Sequence, residues 1–154
     1  MSGNNCFENI KPHLLDSATQ TFGEIAFVDI YEAKEPKYTH QKDDTILCVE
    51  VTSPFVGEIF LFIPNALKNK IAENIFADSI ENIPEKQVDD SLLEILNVIC
   101  GDFLGRCFEK NGEMKIGLPG IIYDMPDTTS QNLHWVFFNA EGIDFSLLIR
   151  KADA

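Results

Sequence analysis

The sequence predicts an α+β fold: a mainly antiparallel sheet of about six strands, with one long helix and two further helices packed on it. Three observations predict it. Apolar residues recur at helical spacing in three stretches, one of them over twenty residues long. Between them stand strand-length apolar runs, several joined by connections short enough for hairpins. Their order is helix, three strands, two helices, three strands, which suits helices packed against an antiparallel sheet. The 154 residues are read as a single domain, 1–154.

The first helix is read from Phe7, Ile10, Leu14, Leu15, Ala18 and Phe22. Pro12 sits inside that pattern, so regular helix is expected from near it, and Gly23 is the expected stop. Ile25 to Ile30 reads as a short strand, Thr45 to Val51 as a second, and Glu58 to Ile63 as a third. The Ser53-Pro54-Phe55-Val56-Gly57 break between the last two predicts a hairpin. Pro64-Asn65 opens a helix through Leu67, Ile71, Ile75 and Phe76. The longest helix follows, from Val88 to Lys110. Asp89, Asp90 or Ser91 lies near its start and Asn111-Gly112 is its terminator. Strands are then expected in Met114 to Tyr123, Leu133 to Asn139 and Ile143 to Ile149, with Glu141-Gly142 turning the closing hairpin. Residues 33–44 and 124–132 read as loops.

Composition excludes several classes of function. Lys plus Arg number 12 against 25 Asp plus Glu, a formal net charge of −13. With no basic cluster, the chain lacks the cations that bind nucleic acid or an anionic membrane. No apolar run approaches the roughly 18 residues of a membrane span. The first six residues lack the basic and apolar regions of a signal peptide, so a cytoplasmic location is expected. Cys6, Cys48, Cys100 and Cys107 have no zinc spacing, and Cys100 and Cys107 lie about 10 Å apart along a helix, too far for a disulfide. They read as reduced, mostly buried thiols. His13, His40 and His134 are scattered, so no metal site of the chain's own is expected.

The long helix carries the one pattern with chemical content. Its apolar stripe is Leu92, Leu93, Leu96, Ile99, Cys100, Phe103 and Cys107. What remains is a lane through Asp90, Glu94, Asn97, Gly101 and Gly105, spaced to lie on roughly one side. Two interior glycines cost the helix about 1 kcal/mol each relative to alanine. Close approach of another surface would compensate, and internal helix packing is the competing explanation. An acid and an amide beside a bare backbone suggest a docking face.

These residues resemble a known family. Asp90-Ser91-Leu92-Leu93-Glu94-Ile95-Leu96-Asn97 matches an Asp or Ser, three residues, Glu, two residues, Asn, the signature of the CheC/CheX/FliY chemotaxis phosphatases. Pro119, in Ile116-Gly117-Leu118-Pro119-Gly120, stands where that family expects a proline. Gly57 to Pro64 followed by a helix is similar to the segment before that helix in CheX-like domains. A single copy of the motif, and the length, suit CheX-like members best.

The resemblance implies a phosphatase for the aspartyl phosphate of a phosphorylated CheY-type response regulator, and a homodimer. It implies that Asn97 orients the attacking water and that Glu94 pairs with the partner's lysine, with no cofactor of the chain's own and Mg supplied by the regulator. Asp90 would be peripheral, a helix cap or a rim contact. That Gly101 and Gly105 let the partner lie close is inferred from their place on the lane. The alternative is a non-catalytic regulator-binding or flagellar-switch module of the same fold.

Overall fold

A computed structural model describes residues 3–34, 40–108, 113–129 and 132–152, with side chains from residue 9 onward. Its elements in chain order are α1 (Gly3–Ile25), β1 (Ile30–Glu32), β2 (Thr45–Ser53), β3 (Gly57–Ile63), α2 (Asn65–Phe76), a 3-10 turn (Ile80–Asn82), α3 (Glu85–Phe108), β4 (Lys115–Ile116), β5 (Gly120–Ile122), β6 (Leu133–Ala140) and β7 (Ile143–Lys151). The strands form one antiparallel sheet in the order β1-β6-β7-β3-β2-β4, with β5 also pairing to β2.

Register puts the core on one face of this sheet. Leu47 lies opposite Leu61, Leu61 opposite Leu147, and Leu147 opposite Val136. This buried row continues two residues on through Val49, Ile59, Ile149 and His134. Leu14, Ala18 and Phe22 of α1 and Leu92, Leu96, Ile99 and Phe103 of α3 pack over the same face, in one continuous apolar cluster. Ile46, Phe60, Phe62 and Leu148 form a smaller buried cluster on the opposite face. Burial on both faces explains why β3 reads as an unbroken apolar run instead of alternating. Trp135 joins the second face, its ring stacked on Phe62 at 5.4 Å and on Phe137 at 5.7 Å.

Two turns have clear backbone causes. A side chain at Gly57 would place its Cβ 2.2 Å from the Arg150 carbonyl oxygen, so the β3–β7 pairing demands glycine. Glu141 and Gly142 both have positive φ, 52° and 90°, as a two-residue hairpin turn of matching twist requires. Asn139 Oδ1 accepts from the Gly142 amide and secures it.

The structure departs from the sequence expectations in four places. Helix α1 is continuous from Gly3 through Pro12. Pro12 is exposed, so water can satisfy the carbonyl that its missing N–H leaves unpaired. The helix also passes Gly23 to Ile25. Phe27 then takes a left-handed conformation (φ 55°), and the Ala26 and Val28 amides both return to the Phe22 carbonyl. The apolar run from Ile25 is therefore a helix end and a connection, and strand begins only at Ile30. Helix α3 starts at Glu85, directly after Pro84, so Asp89, Asp90 and Ser91 lie past its first turn. Its first three residues are exposed and polar and carry no apolar signal. Met114 to Tyr123 splits into β4 and β5, giving seven strands among the described residues. Asn111-Gly112 lies outside the described residues.

Candidate functional site

Helix α3 lies on the sheet with α1 against its side. Ile25 of α1 shares a groove with Asp90 and Glu94, while Ser17 meets Asp102, so the two helices run antiparallel. The seam is held by a small polar network. Buried Ser17 Oγ donates to Asp102 Oδ2 at 2.7 Å, Arg106 Nε donates to the same oxygen at 2.8 Å, and Arg106 donates to Gln20 Oε1 at 2.7 Å. Hydrogen bonds to a carboxylate are the stronger kind, so this network fixes α3 in rotation about its axis. That rotation decides which residues face outward.

Asp90, Glu94 and Asn97 face outward. All three are exposed, and among the described residues none of their side chains has a hydrogen-bond or ion-pair partner. Arg106, the cation in the last turn of α3, is occupied by Asp102 and Gln20. Glu94 and Asn97 are three residues apart, so their side chains stand side by side on the surface. Gly101 and Gly105 continue the lane, and an added Cβ at either would meet nothing within 4 Å among the described residues. Among the described residues, no internal packing contact requires these glycines. The structure thus brings the five lane residues onto one open face.

We predict that Gly101→Ala stabilises the fold by about 1 kcal/mol, a rise of roughly 3 °C in Tm for a chain this long. Thermal unfolding checks it; a lowered Tm would mean that a contact inside the molecule needs the glycine.

The apolar side of α3 is broader than the seven-residue stripe read from spacing. Ile95 and Leu104 are buried as well, whereas Leu93 and Cys107 are only half-buried. Packing against both the sheet and α1 widens the buried arc. Cys100 lies within it, and burial drives its thiol pKa far up. Burial is also the main cause that pushes Cys48 and Cys107 up to about 11. A raised thiol pKa disfavours the thiolate, the nucleophilic form, at all three. Among the described residues no cluster of His, Cys, Asp and Glu is placed to hold a metal ion, and no helix is long and apolar enough to cross a membrane.

Beside Glu94 the structure shows a feature absent from the sequence reading. A groove of about 300 Å³ is walled by Ile25, Ile75 and Phe76 and rimmed by Asp90, Ser91 and Glu94. Its walls come from the ends of α1 and α2, far apart in sequence, so no local pattern signals it.

The two-layer α+β fold, helices on an antiparallel sheet, is the CheX/CheC-like architecture. The family described as chemotaxis phosphatase CheX matches residues 45–139, and the chain belongs to that family. No curated protein matches the sequence. Among solved structures, CheX from Vibrio vulnificus is 14% identical with a TM-score of 0.76, covering 92% of this chain and 98% of that one. CheX in the CheX–CheY–BeF3–Mg2+ complex from Borrelia burgdorferi is 17% identical at TM-score 0.71, with 92% and 97% covered. FliY from Thermotoga maritima is 16% identical at 0.67, with 98% and 90% covered.

Proposed function

We propose that this chain accelerates hydrolysis of the aspartyl phosphate on a CheY-type response regulator, working in the cytoplasm as a homodimer of single-domain subunits. The observation that carries the reading is the pair Glu94 and Asn97, exposed and without partners among the described residues on an open face of α3, in a chain of the CheX family. The solved relative bound to CheY carries trifluoroberyllate, a phosphoryl stand-in, together with Mg2+.

The chemistry suits these side chains. An acyl phosphate hydrolyses unaided, so a catalyst contributes mostly by positioning water for in-line attack. Asn97 does not titrate and is no general base. Its carboxamide can accept from and donate to a water, and being neutral it enters a nest of phosphoryl oxygens without charge repulsion. Glu94 pairs with the regulator's lysine and sets the depth to which Asn97 reaches. Asp90 contacts the rim, and Gly101 and Gly105 let the partner backbone lie close. The divalent metal belongs to the regulator.

The homodimer has a candidate surface at the β4/β5 edge of the sheet, the edge next to α3. β4 and β5 form its last position beyond β2, and beside them Leu118 and Tyr123 are 94% and 90% exposed. An edge with no further strand paired to it among the described residues, flanked by apolar side chains, favours pairing with a second copy. Sedimentation equilibrium should return twice the chain mass; a monomer at micromolar concentration overturns this part.

The deciding experiment follows phosphate loss from a phosphorylated chemotaxis response regulator with trace amounts of this protein. Acceleration that scales with added protein is expected. Binding without acceleration would make the chain a non-catalytic docking module.

A further inference from the structure

We propose that the groove beside Glu94, together with the exposed ring of Phe27, receives an apolar side chain of the same response regulator whose lysine Glu94 engages. The inference rests on the function proposed above and adds to it a second anchor, one that selects among regulators.

Two independent observations point here. The first is the groove's chemistry. Its walls are Ile25, Ile75 and Phe76, its rim carries the carboxylates of Asp90 and Glu94, and among the described residues no Lys or Arg lines it. An occupant must therefore offer an apolar side chain next to a cation. Glu94 belongs to both the groove and the catalytic lane, so a partner whose lysine sits on Glu94 covers the mouth of the groove at once.

The second is Phe27. It is 65% exposed and holds a left-handed backbone (φ 55°), a conformation that bulky residues rarely adopt. Asn74 Nδ2 secures it, donating to the Ala26 and Phe27 carbonyls at 3.1 and 3.3 Å, one residue before Ile75 on the groove wall. Asparagine or glycine would fit that backbone with less strain. An exposed aromatic held there, against its own preference, points to a use for the ring.

The test compares wild type, Phe27→Asn, Phe76→Ala and Asn97→Ala on a regulator phosphorylated from acetyl phosphate with Mg2+. Phe27→Asn decides, because asparagine tolerates the left-handed backbone and the variant should melt no lower than wild type. Its KM should rise about tenfold, the scale of losing an aromatic anchor, while kcat holds; Phe76→Ala should follow in the same direction. An unchanged KM in Phe27→Asn, with wild type active and Asn97→Ala inactive, overturns the groove proposal alone. A changed association state in place of a changed KM would assign the groove to a second copy of this chain and overturn it too. If wild type neither binds nor dephosphorylates the regulator, the functional reading itself fails and this proposal falls with it.

Discussion

Replacing Asn97 with alanine should leave the protein folded and still able to bind the phosphorylated regulator, yet abolish nearly all of its acceleration. Asn97 is exposed and its side chain has no partner among the described residues, so the substitution should shift stability by less than about 0.5 kcal/mol. The rate should fall by about 10²-fold or more, the scale for removing one positioned amide at a reacting centre. The loss should appear in kcat and leave KM nearly unchanged, because in the proposed mechanism the carboxamide acts on the attacking water and not on the docked surface. Asn97→Asp should be no rescue: it keeps the shape but brings a negative charge against phosphoryl oxygens. Since a carboxamide has no pKa in this range, wild-type kcat should be flat from about pH 6 to 8. A pronounced titration there would place a general base in the mechanism and displace Asn97 from its role. Single-turnover dephosphorylation by wild type and variant checks all of this; equal rates would refute the mechanism.

The lane was readable from sequence because helical periodicity is a strong signal and polar residues three and four apart have only one side of a helix to occupy. The same logic placed β2, β3, β6 and β7, whose inward rows are long and apolar. It failed where a signal was short or shared. Ile25-Ala26-Phe27-Val28 is apolar enough for a strand, but an apolar run of that length does not distinguish strand from helix end. Here the Phe22 carbonyl collects two amides and the chain turns at Phe27. The first turn of α3 was missed for the opposite reason: Glu85, Lys86 and Gln87 bury nothing, so only Pro84 marks the start. The groove was out of reach altogether. Ile25, Ile75 and Glu94 meet only after three helices have packed, and nothing local to any of them announces the others. The status of Gly101 and Gly105 likewise needed coordinates, since only the space around a missing Cβ separates a packing glycine from one facing an open surface.

Replacing Glu94 with alanine should produce the complementary failure. Its carboxylate has no partner among the described residues, so removing it leaves no cation of this chain stranded and should barely affect folding. Its expected loss is in docking. A close ion pair that becomes shielded from water as two proteins meet contributes more than an exposed surface pair, and truncating one member mostly speeds dissociation. KM for the phosphorylated regulator should therefore rise about tenfold or more, equivalent to at least about 1.4 kcal/mol, and by more than in Asn97→Ala. Glu94→Gln should fall between the two, because it keeps an acceptor for the lysine but loses the charge. The salt response separates this local pairing from general attraction. With a net charge of −13, the chain should not draw in an acidic regulator over long range. The association rate should consequently change little with ionic strength, or rise slightly as repulsion is screened. A steep fall with salt would mean a basic partner. An apparent affinity untouched by Glu94→Ala would remove this residue as the anchor, and would leave the depth of Asn97 to be set by the neighbouring groove.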